Sequence, residues 1–76
     1  MKNQLAHLMV GGWLLLGVVD QIEGRQVSTE IRDHNGETMN VELPLWIFPC
    51  AIKEGDMFYF TKPDGVLELR CGEPPE

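Results

Sequence analysis

Apolar residues run almost without interruption from Trp13 to Ile22, the longest such run in the chain. Apolar, β-branched runs of this kind are typical of a strand that is buried on both faces. Alternate positions divide the run into one row of Leu14, Leu16, Val18 and Ile22 and another of Trp13, Leu15 and Val19, with Gly17 between them. The pattern predicts a first strand over residues 13–22 around which the fold is built.

The second row of this strand needs a cover. Each large apolar side chain left in water forfeits about 1.5–3 kcal/mol, and a domain of marginal stability holds only about 5 kcal/mol in total. We therefore expect Trp13, Leu15 and Val19 to be covered, either by residues 1–10 or by a second copy of the chain. Gly17 in mid-strand indicates a sharply coiled sheet, as in a small barrel.

Residues 25–33 and 38–43 alternate apolar and polar side chains, which is typical of antiparallel strands with one face in water. The inward positions are Val27, Thr29, Ile31, Met39, Val41 and Leu43, and the outward positions are Gln26, Ser28, Glu30, Arg32, Thr38, Asn40 and Glu42. Gly24 marks the turn before the second strand. Asn35-Gly36 predicts a type I′ hairpin, because both central residues of that turn need positive φ. These strands form a meander.

The second half of the chain begins with an apolar stretch, residues 44–52, that is interrupted by Pro44 and Pro49. Prolines exclude it from the centre of a sheet, so it predicts a helical or 3₁₀ plug with Trp46 and either Ile47 or Phe48 pointing inward. Residues 57–61 and 66–71 predict two further strands. The turns beside them contain Gly55 and Gly65, and Lys62-Pro63-Asp64-Gly65 predicts a type I turn.

A meander, a short plug and a hairpin predict an all-β fold, a small five-stranded barrel that is OB-like or SH3-like. The chain is expected to be a single domain over residues 1–76. Residues 1–12 form an N-terminal arm or a short helix, residues 13–71 form the barrel, and residues 72–76 form a frayed tail.

Charge narrows the possible partners. Twelve acidic residues against six basic ones give a net charge of -6, which repels nucleic-acid phosphates. OB barrels bind single strands through aromatic and cationic side chains, but the outward positions of the second and third strands include no aromatic residue, one cation and two carboxylates. Binding to nucleic acid is therefore not expected.

Cys50 and Cys71 lack the spacing of a metal site. We expect reduced thiols in a cytoplasmic protein; the alternative is a disulfide, which requires an oxidising compartment. Lys2 and the apolar run after it imitate a secretory signal, but no cleavage site follows. Residues 5–19, interrupted by His7, are also shorter than the ~20 residues that span a membrane, so no membrane association is expected.

Candidate chemistry is sparse. The pairs Asp20 with Glu23 and Glu54 with Asp56 flank glycine turns, where carboxylates commonly bond to the backbone. Asp20 continues an inward row, which predicts a buried carboxylate that locks the meander. His34 is isolated in a hairpin loop. No catalytic residue, metal ligand or cofactor is expected, and the residues assigned structural roles are Asp20, Gly24, Asn35, Gly36, Gly55 and Gly65.

Four short motifs resemble a family of very short bacterial proteins that carries only a domain-of-unknown-function label. Its pattern is V-D-R-I-E-G, a D-G turn, L-P and V-K-E-G-D. This chain has Val19-Asp20-Gln21-Ile22-Glu23-Gly24, Asn35-Gly36-Glu37, Leu43-Pro44 and Ile52-Lys53-Glu54-Gly55-Asp56. It departs in having Gln21 in place of the arginine and an additional segment before residue 13. The resemblance covers residues 18–60 and implies a β scaffold without a mechanism.

The function expected from these observations is non-enzymatic. The chain is interpreted as a small acidic protein, of phage or mobile-element origin, that binds another protein as an accessory subunit or inhibitor. Its candidate interface, which would also support self-association through the first strand, consists of Trp13, Leu15, Val19, Trp46 and Phe48. The alternatives are a weak binder of single-stranded nucleic acid and an enzyme accessory or small-ligand-binding domain.

Overall fold

The computed structural model describes residues 13–74, so the predictions for residues 1–12 and for the last two residues of the predicted tail, 75–76, lie outside it. The described chain forms one five-stranded antiparallel sheet and two 3₁₀ turns, Leu45–Ile47 and Pro63–Gly65. The strands are β1 (Leu15–Glu23), β2 (Gln26–Arg32), β3 (Thr38–Pro44), β4 (Met57–Thr61) and β5 (Glu68–Cys71), in the order β3-β2-β1-β4-β5. The all-β prediction is confirmed. Within residues 13–74 the edge strands β3 and β5 do not pair, and the sheet is open.

The core lies on one face of the sheet, which we call the inner face. Its buried side chains come from β1, β2 and β4 and from the segment that connects β3 to β4: Val19, Val27, Ile31, Phe48, Phe58 and Phe60. We call this connection, residues 45–56, the crossover segment. The central position of β1, between β2 and β4, agrees with the prediction that the fold is organised around the first strand.

The two faces of β1 differ from the prediction. Leu15 packs against the core and Val19 is buried within it, so the cover over this row comes from the sheet's own neighbours and the crossover segment. The opposite, outer face carries Leu16 and Val18, and Val18 is 38% exposed. The prediction that β1 is buried on both faces is therefore wrong at Val18.

A β-bulge at Asp20 interrupts β1. Val19 pairs with Thr29 and Gln21 pairs with Ser28, which leaves Asp20 as the additional residue. One additional residue shifts the alternation of side chains, so that both Val19 and Ile22 pack on the core side. Asp20 itself is exposed, and the prediction of a buried carboxylate at this position is wrong.

The β2–β3 hairpin also differs from its predicted turn. The N–H groups of Asn35 and Glu37 donate to Asp33 Oδ1 at 2.9 and 3.0 Å. Gly36 has φ 85°, whereas Asn35 does not have positive φ. A three-residue loop ending in a left-handed glycine replaces the type I′ turn. The physical reason is Asp33, whose carboxylate bonds to the loop's backbone.

The β4–β5 turn is not of type I. Asp64 (φ 55°) and Gly65 (φ 81°) both have positive φ, and the N–H of Val66 donates to the carbonyl oxygen of Pro63 at 3.0 Å. This is the pattern of a type I′ turn over residues 63–66. The following strand begins at Glu68, two residues later than predicted, and Leu67 is 54% exposed instead of inward. Gly24, Gly55 and Gly65 have positive φ, in line with their predicted turn roles.

Candidate interaction surface

Trp46 is the most exposed large apolar residue of the described chain. It lies in the 3₁₀ turn directly after β3, and 81% of its surface is accessible to solvent. The prediction that Trp46 points inward is wrong, because the neighbouring Phe48 takes the core position instead and is buried. Exposing a large apolar indole to water is unfavourable. Trp46 is therefore a candidate contact residue for a partner.

The backbone under Trp46 is well fixed. Pro44 precedes the turn in an extended conformation. The N–H of Leu45 donates to the carbonyl oxygen of Arg25 at 2.8 Å, and the N–H of Phe48 donates to the carbonyl oxygen of Leu45 at 3.2 Å. The first bond attaches the turn to the β1–β2 connection, and the second closes the turn. The backbone that carries Trp46 is therefore held in place by hydrogen bonds on both sides of the residue.

Phe48 anchors the same turn in the core. Its ring meets the ring of Phe58 edge-on, with centroids 5.1 Å apart and an interplanar angle of 82°. Phe58 meets Phe60 in the same manner at 6.0 Å. Edge-to-face pairs of this kind add to the stabilisation that comes from burial. Two residues after Trp46, the chain is thus held by an aromatic cluster.

A disulfide joins Cys50 in the crossover segment to Cys71 in β5. The expectation of two reduced thiols is wrong, and the disulfide alternative is what the structure contains. Cys71 pairs with Phe58 across the β4–β5 ladder, which brings the inner face of β5 to the crossover segment as it leaves Phe48. A cytoplasmic location, which was inferred from reduced cysteines, loses that support.

The other predicted interface residues lie in different surroundings. Leu15 packs against the core, while Val19 and Phe48 are buried inside it. Trp13 is half-buried, and its ring stacks on the ring of His34 with centroids 3.8 Å apart. His34 Nε2 also contacts the carbonyl oxygen of Trp13. The structure does not bring the five residues together, and only Trp46 among them is exposed.

Two shallow depressions mark the outer face. One, of about 320 Å³, lies over β1, β2 and β3 and is lined by Asp20, Ser28, Thr29, Asn40, Val41 and Glu42. The other, of about 210 Å³, is lined by Leu16, Val18, Glu30, Arg32 and Met57. The first contains two carboxylates and no cation, whereas the second has an apolar floor with one charge of each sign.

Of the two acidic pairs, Glu54 and Asp56 bond to the backbone as expected, whereas Glu23 accepts the side-chain N–H of Gln21 at 3.4 Å instead. Asp56 Oδ2 accepts the N–H of Lys53 at 2.9 Å, and Glu54 lies 3.4 Å from the N–H of Ile22. Among residues 13–74 there is no group of three or more His, Cys, Asp and Glu side chains placed to hold a metal ion. Nor does any helix in that range have the length and hydropathy to cross a membrane.

Sequence reasoning missed one feature, the edge of β3. Met39, predicted inward, is 52% exposed because β3 ends the sheet and nothing in residues 13–74 lies beside it. Pro44 was a usable signal, since proline within a sheet is confined to edge strands and strand ends.

Comparison of this chain with protein-family models, with curated proteins and with solved structures finds no match. The resemblance to the short bacterial family with the V-D-R-I-E-G pattern therefore stays a prediction. What the structure itself defines is a class: an open, five-stranded antiparallel sheet with an exposed tryptophan at the end of its edge strand.

Proposed function

We propose that this chain is a non-catalytic protein-binding domain and that Trp46 is the centre of its contact surface. The observation that carries the proposal is the 81% exposure of Trp46 on a turn whose two ends are fixed to the fold. Tryptophan is enriched among the few residues that dominate binding energy at protein interfaces. A rigid support reduces the entropy that a partner's binding must overcome.

The role proposed for the domain is that of an accessory subunit or an inhibitor encoded by a phage or mobile element. The finer fold assignment, an OB-like or SH3-like barrel, belongs to the same proposal. It is supported by the antiparallel strand order β3-β2-β1-β4-β5, in which β1 lies at the centre and pairs with both β2 and β4.

The outer face of β2 and β3 favours a protein over a nucleic acid as the partner. Glu30 and Glu42 are exposed there, and Arg32 is the single cation among the β2 and β3 residues. Phosphate binding depends on several Lys and Arg side chains acting together. Two carboxylates beside one guanidinium oppose it.

Cross-linking tests the proposal in the cells that produce the protein. A photoreactive benzophenone amino acid at position 46 is expected to yield one dominant covalent adduct with another protein. The same amino acid at position 67 serves as the control, because Leu67 is also an exposed apolar residue but lies at the opposite end of the sheet. Equal labelling from both positions, or no adduct from position 46, would refute the proposal.

Trp46→Ala is expected to weaken binding of the captured protein by about 30-fold or more, the loss associated with a hot-spot residue. The free energy of unfolding should change by less than about 0.5 kcal/mol, because exposed side chains contribute little to stability. Isothermal titration calorimetry and urea unfolding measure the two quantities. Leu67→Ala is the matched control and should alter neither; a loss of stability that accounts for the loss of binding would contradict the assignment.

A further inference from the structure

We propose that the free edge of β3 binds an extended segment of the partner protein in which apolar residues alternate with lysine or arginine. This inference rests on the proposed protein-binding function and specifies the partner's chemistry and its mode of binding. Adding a strand to a sheet edge uses main-chain hydrogen bonds for affinity and alternate side chains for specificity.

The register of β2 and β3 identifies the backbone groups that are available. At the two ends of this hairpin, Leu45 N–H donates to Arg25 at 2.8 Å and Asp33 N–H donates to Glu37 at 3.0 Å. In an antiparallel ladder, pairs that exchange hydrogen bonds alternate with pairs that do not. Every second residue pair between these two bonded pairs is therefore also bonded. Counting from either end gives the same result, that the odd-numbered residues of β3 bond to β2.

The even-numbered residues of β3 therefore point their N–H and C=O groups away from β2, toward the open edge of the sheet. These residues are Thr38, Asn40 and Glu42, which lie opposite Arg32, Glu30 and Ser28. Within residues 13–74 no backbone group bonds to them from the open side. Pro44, the next residue in this row, has no N–H, so the available donors end at Glu42.

β3 is lightly protected for an edge strand. Natural edges are commonly shortened, bulged or furnished with charged residues, lysine above all, and proline; β3 has one charged residue, Glu42, and a proline only at its last position. β3 is seven residues long, pairs with β2 without a shift in register and contains no lysine. The opposite edge, β5, has four residues and is attached through Cys71 to the crossover segment. Of the two edges, β3 is the one suited to an added strand.

Side chains of β3 define the pattern required in the partner. Met39 is 52% exposed, and Val41 and Leu43 on the same face are half-buried. An added strand would place every second side chain beside this row, where apolar residues would be buried. The intervening side chains would lie beside Asn40 and Glu42.

Charge selects the residues in those intervening positions. Asn40 and Glu42 line the depression of about 320 Å³, to which Asp20 contributes a second carboxylate and which has no cation in its lining. Opposite charges on neighbouring strands stabilise the pairing, and like charges oppose it. A lysine or arginine is therefore favoured, and a second copy of a chain with net charge -6 is disfavoured.

Amide hydrogen exchange of the full chain at low concentration tests the first step. The N–H groups of Met39, Val41 and Leu43 are expected to be protected, and those of Thr38, Asn40 and Glu42 to exchange rapidly. Slow exchange at all six positions would overturn the inference, because it would mean that the edge is already occupied by another part of the chain or by a second copy.

Binding of a heptapeptide in which valine alternates with lysine tests the second step. In nuclear magnetic resonance titrations we expect it to shift the amides of Thr38, Asn40 and Glu42 more than those of β5. The matched peptide with glutamate in place of lysine should bind at least about tenfold more weakly. Equal binding of the two peptides, or shifts centred on β5, would overturn the inference.

Proline substitutions supply a matched pair of variants. Asn40→Pro removes an outward N–H, so the sheet should stay folded while peptide affinity falls by about tenfold or more. Val41→Pro removes an N–H that bonds to β2 and should unfold at a clearly lower urea concentration. Unfolding of both variants at the same urea concentration would contradict the register, and undiminished peptide binding by Asn40→Pro would overturn the edge as the site.

The cross-linked partner separates this inference from the proposed function. If Trp46→Ala abolishes partner binding and Asn40→Pro leaves it unchanged, the protein-binding function stands and strand addition is refuted. If both variants weaken binding, the partner contacts the edge and the tryptophan together. If position 46 captures no partner while the lysine peptide still binds at β3, the Trp46-centred function fails and the edge site stands.

Discussion

Gly17→Ala is expected to lower the free energy of unfolding by about 2 kcal/mol, within the range of about 1–3 kcal/mol for an overpacked core. A Cβ atom at this position would lie 2.2 Å from Phe58 Cζ and 2.5 and 2.6 Å from the two Cε atoms of the same ring. Phe58 is 0% exposed. Its edge-on contacts with Phe48 and Phe60 restrict the movement by which the ring could avoid this clash.

Alanine also has a favourable effect at Gly17, but that effect is smaller. Replacing glycine in a strand interior reduces the conformational entropy of the unfolded chain, which stabilises by about 0.5–1 kcal/mol. The steric term exceeds it because Gly17 lies beneath a buried aromatic ring. The destabilisation by Gly17→Ala would remove a large fraction of the free energy of unfolding, which is ~5 kcal/mol for a small domain.

Urea unfolding measures this effect, and a double-mutant cycle with Phe58→Leu isolates its cause. In the Phe58→Leu background, where the ring is gone, Gly17→Ala should cost markedly less than in the unmodified protein. Such coupling is the signature of residues in contact. Equal costs in both backgrounds would show that Phe58 is not the source of the loss.

Removing the disulfide by Cys50→Ala with Cys71→Ala is expected to lower the free energy of unfolding by about 3 kcal/mol. The two cysteines are 21 residues apart, and closing a loop of this length restricts the unfolded chain by about that amount. The disulfide also joins β5, an edge strand of four residues, to the crossover segment. Without it, β5 is held by its ladder with β4 and by Leu69, which packs against the core.

Reduction supplies the control for this second prediction. Dithiothreitol should shift the urea midpoint of the unmodified protein toward that of the double variant and leave the double variant unchanged. Amide exchange should accelerate first in β5 and least in β1 and β2. Identical midpoints for the oxidised and reduced protein would show that the bond does not stabilise the fold.

The candidate site was predictable only in part. Trp46 and Phe48 stood out in the sequence because both are large aromatic residues in a stretch interrupted by proline. Two aromatic residues two positions apart carry no periodic signal that says which one enters the core. The crossover segment packs Phe48 against Phe58, and this packing leaves Trp46 in water. The free backbone groups of β3 depend on strand order, which no local pattern reports.

By itself the sequence determined the strands and their approximate ends, since alternation in β2, glycine turns and proline breaks are local features governed by the period of the backbone. It equally determined the net charge of -6. Only the tertiary structure decided which face of β1 became the core, that Asp20 bulges outward, that Cys50 meets Cys71 and that β3 is an edge. Each of these depends on contacts between residues that are distant in sequence.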